Sequence, residues 1–254
     1  EKGTPRILKK IEGRVLSLLT GGAGNDNYWH WLFDVLPRLS IIKDVIEINE
    51  KDYFLLPSLK IKFQKESLME LGISSNKLFS SEKFRHIKCD ELIVTDHPYS
   101  NSNDPSRDIH NIPSWIGIWL KENFVMKKKT WKKKKSLPKK IYIDRSDSIS
   151  NVANLRSIIN EEEIKYFLEK DGFTSVRMSD LYFLDQVRLF NEADYIVGLH
   201  GAAFANMVFC DAKTKILELR NDTISDKVIE NLATKNNLNF DSIKCEPIAS
   251  NYSN

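Results

Sequence analysis

Asp194-Tyr-Ile-Val-Gly-Leu-His-Gly-Ala-Ala-Phe-Ala-Asn-Met-Val-Phe209 holds three kinds of local signal in sixteen residues. Tyr195 to Val197 is a short apolar run that reads as a buried strand, stopped by Gly198. His200 and the small residues Gly201, Ala202 and Ala203 follow, and Phe204 to Phe209 reads as the start of a helix. Strand, glycine turn, small residues and helix is how an α/β sheet offers backbone N–H groups to an anion. His200 is expected at the carboxyl end of the strand, where a ligand would sit. Taken alone, the stretch equally suits a tight strand-to-helix turn with a satisfied histidine.

The residues around it extend the alternation. Lys140 to Asp144 predicts a strand ending in Arg145, Leu155 to Leu168 a helix closed by Gly172, and Ser175 to Met178 a strand. Leu181 to Ala193 predicts a helix. Lys215 to Leu219 predicts the next strand, Ser225 or Asp226 to Asn236 a helix, and Phe240 to Cys245 a last strand. Strand and helix alternate five times, which argues a parallel, doubly wound sheet. In such a sheet ligands sit beyond the carboxyl ends of the strands. Arg145, His200 and Glu218 fall there. Arg145 suits a phosphate. The turn at His200, Gly201 and Ala202 suits the same group, and Glu218 suits ribose hydroxyls or is simply an exposed edge carboxylate.

The first half is also α/β. Strands are expected at Arg14 to Leu19, Tyr53 to Leu56 and Glu91 to Thr95. A helix is expected from Ile61 to Leu71, with Gly72 as its C-cap. Trp115 to Val125 predicts another, with Trp115, Ile118, Trp119 and Phe124 packing. Residues 96–113 read as a loop. Gly21, Gly22 and Gly24 precede a helix from Tyr28 to Leu36, capped by Asp26 or Asn27 and ended or kinked by Pro37. His30 and Asp34 are four apart and share a face of that helix. They are either a general-base constellation or an ordinary pair that stabilises a helix start.

Composition sets the limits. The chain has 254 residues, 41% of them hydrophobic, enough for one large domain or two of roughly 120 residues. A net charge of +3 is too small to argue for nucleic acid. Cys89, Cys210 and Cys245 are too scattered for a disulfide framework or zinc site, which favours a reducing, cytoplasmic compartment. No apolar run approaches the ~20 residues of a membrane span, and no signal peptide is visible. The chain starts at Glu1 rather than Met, so an upstream segment is expected to be missing. Nine lysines between Lys127 and Lys140 mark an interdomain linker, exposed and self-repelling. They are also a candidate for weak peripheral contact with an anionic membrane face. The expected division is 1–126, the linker 127–140, and 141–254. No D-x-D triplet, Walker A sequence or G-x-G-x-x-G occurs. No metal or other cofactor is therefore expected, and P-loop or nicotinamide chemistry is disfavoured.

Two longer motifs carry a resemblance. Asn27-Tyr-Trp-His-Trp-Leu-Phe-Asp-Val-Leu-Pro-Arg-Leu39 and Gly198-Leu-His-Gly-Ala-Ala-Phe-Ala-Asn206 resemble motifs of the family 61 glycosyltransferases. Ile141 to Arg145, Arg156 with Asn160 and Glu161, Asp185-Gln186 and Ile216 to Glu218 match in order between and after them. Ala203 departs from the pattern where a second glycine is common, and Asp144 where a serine is common. The resemblance implies a GT-B architecture of two Rossmann-like domains. It implies inverting transfer of a sugar from a nucleotide diphosphate, UDP-linked, to a glycan hydroxyl, as in capsular polysaccharide synthesis. Asp34 or His30 would be the base, with Asp34 preferred. Arg145, His200, Gly201, Ala202, Asn206 and Glu218 would hold the donor, and Arg38 and Asn27 would contact acceptor or phosphate. Transfer of another group such as pyruvyl, or glycan or nucleotide binding without turnover, are the alternatives.

Overall fold

The structure, a computed structural model, describes residues 7–20, 26–99, 102, 104–126, 136–146, 158–222 and 224–246. Glycines 21, 22 and 24, lysines 127–135 and Arg156 lie outside the described residues. Two compact units divide at Pro105 and Ser106, some twenty residues before the lysine run that the sequence marks as the linker. Among the described residues no helix is long and apolar enough to cross a membrane.

In the first unit, β1 (Lys9–Ser17), β2 (Tyr53–Leu56), β3 (Leu78–Ser80) and β4 (Ile87–Val94) form a sheet of order β3-β2-β1-β4. Every pairing is parallel. β1 is central, and its Val15 and Leu16 are fully buried, as the apolar strands of covered parallel sheets are. β1 begins five residues before the expected Arg14. Gly13 makes that extension possible: its φ of +104° forms a bulge where the register with β4 shifts between Ile11 and Arg14. Its N–H donates to Asp90 Oδ2 at 2.7 Å. Three-residue β3 is too short to show in a hydrophobic pattern.

The crossover from β1 contains α1 (Tyr28–His30), a π-helical turn (Trp31–Val35) and α2 (Arg38–Lys43). Leu36 N–H reaches back five residues to Trp31 C=O at 3.1 Å. Pro37 has no N–H to give, and the helix restarts behind it as α2. Trp31 is fully buried, and its Nε1 donates to Ser67 Oγ at 2.9 Å on α3 (Lys62–Glu70). That anchor holds the wide turn in place. α3 ends as expected, with Gly72 at φ +82°.

The second unit begins with α4 (Pro105–Asp108), a 3₁₀ turn (Ile109–Asn111) and α5 (Ser114–Leu120), which runs on as a π-helical turn (Lys121–Val125). The segment expected as a loop is therefore partly helical. Phe124 packs inward as expected, with Ile116 and Leu120, while Ile118, expected to pack, is 57% exposed. Phe124 packs edge-on against Phe183 at 4.9 Å and Phe209 at 6.2 Å. These contacts place α5 with the second unit.

The sheet that follows has β5 (Lys140–Asp144), β6 (Thr174–Arg177), β7 (Tyr195–Leu199), β8 (Lys215–Asn221) and β9 (Asn239–Cys245), in the order β6-β5-β7-β8-β9. All pairings are parallel. α6 (Glu161–Lys170), α7 (Phe183–Glu192) and α8 (Val228–Lys235) connect them, with a 3₁₀ helix (Ala202–Phe209) after β7. Ile141, Ile143, Ile196 and Ile216 are at most 2% exposed. Tyr142, Val197 and Leu219 form a second cluster with Leu168 and Phe173 packed on it. Apolar residues on both faces explain the near-continuous runs in the sequence. Two expected helices change: residues 158–160 are not helical and α6 starts at Glu161, and the segment after Gly201 is 3₁₀ rather than α.

Each unit is thus a Rossmann-like parallel sheet. Each has a switch point where the strand order reverses: β1 beside β4 in the first, β5 beside β7 in the second.

Candidate functional site

At the first switch point, a carboxylate collects three partners. Asp34 lies in the π-helical turn, 7% exposed. A π turn displaces side chains from the ordinary α spacing and recurs at functional sites. His30 Nδ1 is 2.7 Å from Asp34 Oδ2. The Tyr99 hydroxyl donates to Asp34 Oδ1. His97 Nε2 stands 3.8 Å from Oδ2. Burial pushes the Asp34 carboxyl up, but the hydrogen bonds from His30, His97 and Tyr99 outweigh it and hold it below its ordinary value of 3.8.

Proton positions follow from these contacts. An ionised carboxylate only accepts, so His30 turns a protonated Nδ1 to Asp34, and in the neutral ring Nε2 then carries the lone pair. In His97 the Tyr99 N–H donates to Nδ1 at 3.4 Å, which puts the proton on the Nε2 that faces Asp34. Asp34 is therefore engaged on both oxygens, while the His30 side chain is 20% exposed.

Arg38 and Asn27 both hold local structure around this cluster. Arg38 is 6% exposed; its Nε donates to Asp34 C=O at 3.0 Å and its Nη1 to Thr95 C=O and Oγ1 at 3.1 Å. It ties the turn holding Asp34 to the end of β4. Asn27 Oδ1 accepts from Trp29 N–H at 2.9 Å and caps α1.

At the second switch point, Arg145 follows β5 and His200 follows β7. Arg145 Nη1 donates to His200 C=O at 2.7 Å. Gly201 is extended at φ 165° and ψ 177°, so its missing side chain matters for space rather than for conformation. A Cβ there would stand 2.6 Å from Arg145 Nη1. The guanidinium lies close against the glycine, as the sequence could not show. Asp144, expected beside the same site, accepts from Ser146 N–H at 2.8 Å and pairs with Lys165 at 3.2 Å. Ala202 and Ala203 are half-buried.

Glu218 and Asn206 are placed behind this turn and not at its surface. Glu218 is 1% exposed, and its Oε1 is 2.5 Å from His200 Nδ1. Its carboxylate faces His200 rather than solvent. Asn206 is fully buried; its Nδ2 donates to Gln186 Oε1 and Ala203 C=O, each at 3.3 Å. It fastens the 3₁₀ helix to α7.

His97, Tyr99 and Arg220 escaped the sequence reading. The signal for the first two was their position, just past the carboxyl end of β4, where ligands and catalytic groups gather.

The family model described as Glycosyltransferase 61 matches residues 28–217, about three quarters of the chain. The match opens at Tyr28 and closes at Leu217, so it takes in His30, Asp34, His97, Tyr99, Arg145 and His200. No curated protein matches the chain.

Proposed function

The chain belongs to the glycosyltransferase 61 family, and on that footing we propose that it moves a sugar, hexosyl or pentosyl, from a UDP-linked donor to a glycan hydroxyl with inversion. The reading that His30 is the base rests on one observation: both oxygens of Asp34 are occupied, and the free nitrogen of the cluster is His30 Nε2. This reverses the sequence preference for Asp34. His30 Nε2 takes the proton of the acceptor hydroxyl as that oxygen attacks the anomeric carbon. Asp34 orients the ring and stabilises the imidazolium that forms, and Tyr99 and His97 orient Asp34.

The second unit would hold the leaving diphosphate, with Arg145 and the turn at His200 and Gly201 stabilising the charge that develops there. We propose that the transfer runs without a metal ion, the basic groups serving in its place. The product would enter surface or capsular polysaccharide on the cytoplasmic side, with Lys127 to Lys140 as a weak contact to anionic lipid.

Release of UDP, GDP or CMP from a panel of UDP-, GDP- and CMP-sugars, with and without glycan acceptors, tests this reading. UDP release that depends on acceptor, persists in EDTA and yields an inverted linkage is expected. Turnover of a GDP-sugar alone would move the donor assignment, and modification of the glycan without any nucleotide sugar would end it in favour of a different group transfer. Nucleotide binding with no turnover would leave a binding module.

A further inference from the structure

Two charged residues behind His200 carry no part in the proposal above. Glu218 and Arg220 are two apart on β8 and so share a face of the sheet. They are 1% and 8% exposed. Removing a carboxylate and a guanidinium from water is costly, and a pair of apolar residues would fill the space with less penalty. The contacts show what the charges do instead. Glu218 Oε1 holds His200 Nδ1, and Oε2 is 3.8 Å from Arg220 Nη1. Arg220 Nη2 donates to Ile224 C=O and, at 2.8 Å, to Asp226 C=O, in the connection between β8 and α8. Among the described residues, Glu218 Oε2 and Arg220 Nε are buried without a hydrogen-bond partner.

We propose that Glu218 and Arg220 are positioning residues for His200: Glu218 fixes the Nδ1 proton so that Nε2 is the edge offered to a phosphate oxygen of the donor diphosphate, and Arg220 holds Glu218 while fastening the β8–α8 connection to the same chain of contacts. This rests on the donor reading given above. The chemistry is that of an outer carboxylate that sets which nitrogen of a ligating histidine faces its ligand. With Nδ1 committed to Glu218, a second proton on the ring can only sit on Nε2, where it donates to an oxyanion. Without Glu218 nothing holds the ring, which is free to turn, and the anion loses a donor fixed in place. Arg220 supplies the countercharge that a carboxylate at this depth needs.

The test uses the full chain and separates the contact from its purpose. The chain has five histidines, so side-chain ¹H–¹⁵N correlations are resolvable, and His200→Asn identifies the signal of interest. In the ligand-free wild type, His200 is expected to show a protonated Nδ1 shifted strongly downfield, lost in Glu218→Gln and kept in Arg220→Lys. UDP titrated into the same samples is expected to bind Glu218→Gln about tenfold more weakly than wild type, the loss of one charge-assisted hydrogen bond. Arg220→Lys should fall between the two. A wild-type His200 protonated on Nε2 alone overturns the inference without any variant having to fold. Equal UDP affinity in wild type and a folded Glu218→Gln overturns it as well. If the Nδ1 signal is present but UDP, GDP and CDP all fail to bind the wild type, the donor reading falls and takes the positioning role with it. If UDP binds while the signal is absent, only the positioning role falls.

Discussion

His30 Nδ1 holds Asp34 Oδ2 at 2.7 Å, one turn along the same helix. In the proposed reaction the lone pair left on His30 Nε2 is the base. Replacing His30 by Asn should lower the transfer rate by about 10²–10⁴-fold with donor affinity unchanged, the usual worth of a positioned general base. Asp34→Asn should lose rate as well, because an amide can turn the ring to the wrong tautomer. The double variant should be little worse than the poorer single one, since the two act as a unit. Acceptor-dependent turnover in all three variants checks this. A His30→Asn protein retaining more than a tenth of the rate would return the base role to Asp34.

The Asp34 carboxyl also makes stability depend on pH. Its folded pKa lies below 3.8, so the unfolded chain binds more protons and stability rises with pH across that range. The contribution is complete above the unfolded value and is lost as pH falls through the lower folded one. Urea midpoints of wild type and Asp34→Asn should differ by a constant amount above about pH 5 and converge below about pH 4, near the ordinary carboxyl range. A gap that stays constant down to pH 2.5 would contradict the assigned direction.

Tyr99 donates to the buried Oδ1 of Asp34. Tyr99→Phe keeps the ring contact with His97, at 4.6 Å between centroids, and removes only the donor. A carboxylate oxygen left unpaired at this depth should cost about 1–3 kcal/mol in chemical denaturation. The rate should fall less than in Asp34→Asn, because His30 still has its partner.

Two glycines three residues apart should respond differently to one added methyl. At Gly198, a Cβ would stand 3.0 Å from Ile143 Cβ on the neighbouring strand, inside a sheet that cannot open. Gly198→Ala should cost about 1–3 kcal/mol of stability. At Gly201, the obstacle is the end of the Arg145 side chain, at 2.6 Å. That group can swing away from the His200 carbonyl, so Gly201→Ala should fold nearly normally and lose nucleotide affinity. Thermal melting paired with UDP titration separates the two effects.

The parts of the molecule legible in the sequence are those set by local periodicity. Apolar runs such as Ile141 to Ile143 and Tyr195 to Val197 place the strands of the second sheet, and Gly72 and Gly172, both at φ +82°, end the helices they were expected to end. What depends on distant partners was hidden. Tyr99 meets Asp34 across 65 residues, and nothing near either residue announces the pairing. Glu218 reads as an exposed edge carboxylate because strand position alone does not say that His200 lies over it. Ile118 and Ile116 are both apolar, and only the packing of α5 on Phe183 and Phe209 shows which one faces inward. The π turn that carries Asp34 looks, in sequence, like ordinary helix.

The proposed function places a nucleoside diphosphate donor at the turn containing His200. Thermal stabilisation by a panel of nucleotides and nucleotide sugars, in wild type and in His200→Ala, tests it most directly, because a ligand stabilises the native state according to its concentration over Kd. The prediction is that UDP or one UDP-sugar raises the melting temperature of the wild type, and that the variant, folded and melting within a few degrees, needs about tenfold more ligand for the same shift. Equal stabilisation of both proteins, or none by any nucleotide in a well-folded sample, would contradict it.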